Sequence, residues 1–173
     1  MNILFTNVSG ILNGFHTVKA KSHQPDAPVF DEEKIPILKD ICDETKAKVV
    51  LTSALRLGWG YAKKEPDNKK LRELLDSFKK YGVPYYGRTP VIEKRINEFS
   101  YYETWKEYEI LAYLECHPEV EHICVLDSDT RDLESFDDYL VTPDFYTPTG
   151  ENEGLMPYHK DEIQRVLKKN FWL

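Results

Sequence analysis

Apolar positions along this chain follow two rhythms, and their alternation predicts the architecture. Continuous short runs, Ile3-Leu4-Phe5, Val49-Val50-Leu51 and Ile123-Cys124-Val125-Leu126, read as strands covered on both faces, as in a parallel sheet. Between them lie stretches with helical spacing. Ile35, Leu38, Ile41 and Cys42 recur on one face of a helix that Asp31 is placed to cap, with Pro36 tolerated in its first turns. Leu71, Leu74, Leu75 and Phe78 mark a second helix closed by Gly82, and Tyr108, Ile110, Leu111 and Leu114 a third over about Thr104 to Leu114. The segment "VPYYG" predicts a third strand, "YLVTP" a fifth, and Lys160 to Lys169 a last helix; Arg88 to Glu103 is polar and reads as irregular. Strands alternating with helices predict an α/β three-layer sandwich around a central, mostly parallel five-stranded sheet.

At 173 residues the chain suits one domain, spanning 1–173. The excursion from Asn13 to Phe30 is too short for a sizeable cap, so a minimal cap or none is expected and the pocket should be open. Hydrophobic residues at 41% and aromatics at 13% exclude a disordered chain. No run approaches the ~20 apolar residues a bilayer requires, and no secretory leader is evident, so no membrane partner and a cytoplasmic location are expected. Cys42, Cys116 and Cys124 lack metal-site spacing and suit free thiols. A net charge of −7 disfavours a broad electrostatic grip on nucleic acid while leaving room for a local basic groove.

Ligands of open parallel sheets bind at the carboxyl ends of the strands, so the polar residues there are the informative ones. They are Asn7 and Ser9 after the first strand, Thr52, Ser53 and Arg56 after the second, and Asp127 and Asp129 after the fourth. Lys106, at the start of the third helix, opposes the helix dipole and so suggests an anionic partner. Each has a plainer alternative. Asn7 and Ser9 precede a glycine as turn residues do, Thr52 and Ser53 suit a helix cap, Arg56 a surface position, and Asp129 a turn through Thr130. Tyr101, Tyr102, Trp105 and Tyr108 suit core packing better than base stacking, and the five histidines have no metal-ligand spacing.

In order, the chain carries Asn7-Val8-Ser9-Gly10-Ile11-Leu12-Asn13, Leu51-Thr52-Ser53-Ala54-Leu55-Arg56, Lys106-Glu107-Tyr108-Glu109-Ile110, Leu126-Asp127-Ser128-Asp129 and Gly154-Leu155. This series resembles the haloacid dehalogenase (HAD) superfamily, and most closely the small HAD domains of multi-domain RNA-repair proteins. There the corresponding stretches run Asp-x-Asp-Gly-Val-Leu-Asn, Leu-Ser-Ser-Ser-Trp-Arg, Arg-x-x-Glu-Ile, Leu-Asp-Asp and Gly-Leu. The resemblance implies a HAD-like Rossmannoid fold. It also implies phosphoryl transfer in which the first Asp is the nucleophile, the second the acid and base, and magnesium is held by the first Asp and the strand-four acids, here Asp127 and Asp129. Thr52, Ser53, Arg56 and Lys106 would hold the phosphate oxygens.

Asn7 and Ser9 stand at the two catalytic positions, and neither residue type can do the work of the carboxylate it replaces. The expectation is therefore a pseudophosphatase that leans away from enzymatic activity and binds a phosphate-bearing small molecule, a nucleotide or a protein partner. Magnesium is weakened by loss of the first Asp, and nucleic acid is a lesser expectation. Two alternatives differ in class: an active magnesium-dependent phosphatase on nucleotide or nucleic-acid ends, and an inhibitor- or immunity-type interaction module using the acidic surface.

Overall fold

A computed structural model describes residues 1–14, 17, 29–53, 55, 69–94, 103–143 and 154–171. The central sheet is built from β1 (Asn2–Thr6), β2 (Ala47–Leu51), β3 (Tyr85–Arg88), β6 (His122–Leu126) and β7 (Leu140–Val141), in the order β3-β2-β1-β6-β7 with all pairings parallel. Helices α1 (Lys34–Thr45), α2 (Lys69–Tyr81), α3 (Lys106–Glu115) and α4 (Lys160–Val166) cover its faces. Successive strand residues point to opposite faces, and the core divides accordingly. Leu4, Val49 and Cys124 pack with Leu38, Leu74 and Ile163 under α1, α2 and α4. Ile3, Phe5, Val50, Ile123 and Val125 pack with Ile110 and Tyr113 of α3 on the other side. The three-layer α/β sandwich is thus present, and the sheet is parallel throughout.

The apolar rhythms located the core elements, while polar residues shifted several boundaries. Asp31 does not cap a helix: its carboxylate accepts the Gly14 N–H at 2.8 Å, and α1 begins later, at Lys34. The stretch expected to be irregular contains a two-residue antiparallel pair, β4 (Glu93–Lys94) with β5 (Glu103–Thr104), so α3 starts at Lys106 and not Thr104. Such a short pairing leaves no periodic signal. Gly82 does close α2: at φ 74° it lets the Val83 N–H reach back to the Phe78 carbonyl at 2.9 Å. The last helix ends earlier than expected, at Val166. Cys42 and Cys124 are buried free thiols, with the Cys42 thiol pushed up to about 12 by burial; Cys116 is free and exposed. Among the described residues no helix is long and apolar enough to cross a membrane. Most of the excursion after β1 and of the loop after β2 lies outside the described residues, and with it the expectation about a cap.

Candidate functional site

Neighbouring parallel strands in matched register end together, so their first residues beyond the sheet form a row. The row is Thr89, Thr52, Asn7 and Asp127, across β3, β2, β1 and β6. Each is anchored by its backbone N–H to the last carbonyl of the adjoining strand: Thr89 to Leu51 at 3.0 Å, Thr52 to Thr6 at 3.1 Å, Asn7 to Leu126 at 3.0 Å and Asp127 to Val141 at 3.4 Å. Phe5, Val50 and Val125 lie on the α3 side, so Asn7, Thr52 and Asp127, two residues further along, lie on that side too. Lys106 is the first residue of α3 and meets them there. Its position is set by buried Glu109, which accepts the Ile92 N–H at 2.9 Å, while the Trp105 N–H donates to the Ile92 carbonyl at 3.2 Å.

Asp127 is the hub of the row. It is fully buried, and its carboxylate accepts three donors: the Asn7 amide Nδ2 at 2.9 Å, the Asp129 backbone N–H at 3.0 Å and the Lys106 ammonium at 2.5 Å. The Asn7 amide is held in one orientation, because its Oδ1 accepts the Val8 N–H at 2.8 Å. The structure therefore brings Asn7, Lys106 and Asp127 together, with Thr52 and Ser53 buried beside them on the adjoining strand end. Ser9 is exposed, and its loop is tied down by Ser128, whose hydroxyl donates to the Ser9 carbonyl at 3.1 Å. Asp129 is turned outward: Arg131 donates to it twice, at 2.8 and 2.6 Å, and its carboxyl is lowered to about 2 by that guanidinium against the opposing effect of burial. The turn alternative for Asp129 is thus realised, its Oδ1 also accepting the Arg131 N–H at 3.3 Å. Arg56, Tyr101 and Tyr102 lie outside the described residues. Trp105 and Tyr108 pack against each other with ring centres 4.7 Å apart and planes tilted by 53°, and Tyr108 is exposed.

The loop after β1 is braced by residues whose roles the motif spelling did not reveal. Buried Asn13 accepts the Gly10 N–H at 2.8 Å and donates to the Val29 carbonyl at 2.7 Å. The Leu155 N–H donates to the Ile11 carbonyl at 2.8 Å. Gly154, at φ 60°, lies so close that a Cβ there would sit 2.8 Å from both the Asn13 and Ile11 carbonyl oxygens. The closing Gly-Leu pair is therefore a backbone brace for the loop that carries Asn7 and Ser9. Thr89 was not singled out from the sequence; its buried hydroxyl has no hydrogen-bond partner among the described residues. Nothing in the polar stretch around it marks that position.

The family model described as the HAD domain in Swiss Army Knife RNA repair proteins matches residues 3–151. The chain belongs to this family. No curated protein and no solved structure matched the chain significantly. The all-parallel sheet with flanking helices is the HAD-like phosphatase-type fold, and the strand-end row occupies its ligand edge. HAD domains commonly use magnesium, a small cation that demands near-octahedral oxygen ligands. The donor set here does not fit it. Asp127 already accepts three nitrogen donors, one of them the Asn7 amide N–H and one the Lys106 ammonium, and Asp129 faces Arg131. Among the described residues no cluster of three acids, histidines or cysteines converges.

Proposed function

We propose that this HAD domain is a pseudophosphatase: a phosphatase fold that holds a phosphate-bearing ligand without hydrolysing it. One observation carries the proposal, the donation of the Asn7 amide to Asp127. The residue at the nucleophile position spends its side chain on an internal hydrogen bond, and its oxygen on the Val8 N–H. An amide oxygen so engaged is a poor nucleophile, and exposed Ser9, with a hydroxyl far too weak an acid, cannot protonate a leaving group at neutral pH.

Support for ligand binding comes from the groups that remain. Lys106 has three N–H donors, of which Asp127 takes one, and Ser53 and Thr52 bring hydroxyls to the same strand end. Lys106 and Asp127 cancel in charge, so affinity should be weak, of millimolar order, and a monoanion should compete well with a dianion. The family's description in RNA repair proteins makes a nucleotide or an RNA end the ligand of choice, whereas the net charge of −7 argues against grip on a long polymer. Buried free thiols suit a reducing compartment, the cytoplasm.

The test is hydrolysis of an aryl phosphate and a nucleotide in magnesium buffer by the natural chain and by the Asn7→Asp, Ser9→Asp double variant. Turnover by the double variant alone is the expected result. Turnover by the natural chain, abolished by Asp127→Ala, would overturn the proposal in favour of an active phosphatase.

A further inference from the structure

The contacts around Asp127 say more than that a nucleophile is missing. Suppose a carboxylate stood at position 7 with the same side-chain placement. Its second oxygen would replace the amide nitrogen, which lies 2.9 Å from Asp127 Oδ1, and two anionic oxygens at that separation in a buried setting repel strongly. Such a pair requires a cation or a shared proton between its members. Here the amide N–H removes the repulsion by donating to Asp127, and the amide cannot invert without setting two donors and two acceptors face to face at Val8 and Asp127. The Lys106 ammonium, 2.5 Å from the other Asp127 oxygen, supplies the positive charge. Asp129, the next acid along the loop, is bound to Arg131 instead.

We infer that the Asn7 amide, donating to the Asp127 carboxylate that Lys106 already neutralises, removes this site's need for the divalent cation of HAD domains, so that this domain folds independently of divalent metal. The unit of Asp127 and Lys106 is already neutral, and a doubly charged ion would enter without compensating anions. The converse also holds: Asn7→Asp by itself recreates the demand for a cation, with no change at Ser9. This goes beyond the proposed lack of turnover, because metal binding is read without substrate or catalysis.

The experiment is thermal unfolding and calorimetric titration of the full chain and of Asn7→Asp, each with magnesium or manganese and with a chelator. The natural chain should keep one Tm throughout and show no saturable heat. Asn7→Asp should unfold at a lower temperature in chelator and recover saturably, by roughly 3–6 °C, as magnesium is added. A saturable rise in the natural chain that Asp127→Asn removes would overturn the inference, as would a folded Asn7→Asp variant indifferent to both metals. The titration of the natural chain decides alone if Asn7→Asp does not fold.

Discussion

Within one short loop, the brace and the chemical positions differ in what they have kept. The brace is complete: Asn13 ties Gly10 to Val29, Leu155 donates to Ile11, and Gly154 fits where no side chain could. The two positions that the resemblance marks for chemistry hold no carboxylate: the Asn7 amide makes an internal hydrogen bond and Ser9 faces solvent. The contrast teaches that the two tasks are separable. Bracing depends on backbone atoms and hydrogen bonds that stabilise the fold whether or not a reaction occurs. A carboxylate at position 7 would instead repel the buried acid beside it, whereas the Asn7 amide donates to that acid.

The strongest way to break this contrast is Lys106→Met. It should leave Asp127 buried with its only cation among the described residues removed and lower stability by about 3 kcal/mol, measured by urea unfolding. Adding Asp127→Asn should recover much of that loss; a single variant as stable as the natural chain would show that the pair is not the hub described. Next in size is Gly154→Ala, which adds a Cβ against two carbonyl oxygens at a positive φ and should cost about 2 kcal/mol. A loss below about 0.5 kcal/mol, within the range of an ordinary surface substitution, would show that the loop yields easily and is not braced.

The smallest effect is expected at Arg131→Ala, outside both regions. Asp129 is half exposed, so solvent screening keeps its pairing worth under about 1 kcal/mol. Its folded pKa lies near 2, below the ordinary 3.8, so the contribution is present above pH 3.8 and is lost as pH falls toward 2. The stability difference between the natural chain and the variant should therefore be constant at neutral pH and close over that acid window. A difference that widens on acidification would assign Asp129 another partner.

Much of the architecture was legible because burial on both faces of a parallel strand leaves an unbroken apolar run, as at Val49-Val50-Leu51, and amphipathic helices leave a periodic one. The β4–β5 pairing was not, since two residues carry no period, and Asp31 misled because a capping residue type can equally accept from a loop N–H. At the site, the spelling of the chain by itself determined that Asn7 and Ser9 carry no carboxylate, and it placed Thr52, Ser53 and Asp127 at strand ends and Lys106 near a helix start. Only the tertiary structure decided which of these touch. The Asn7 amide faces Asp127 because β1 and β6 lie side by side in register, Lys106 reaches the same carboxylate from the start of α3, and Arg131 turns Asp129 away. Residue type states what a side chain can donate or accept. Which partner it meets is set by the packing of segments far apart in the chain.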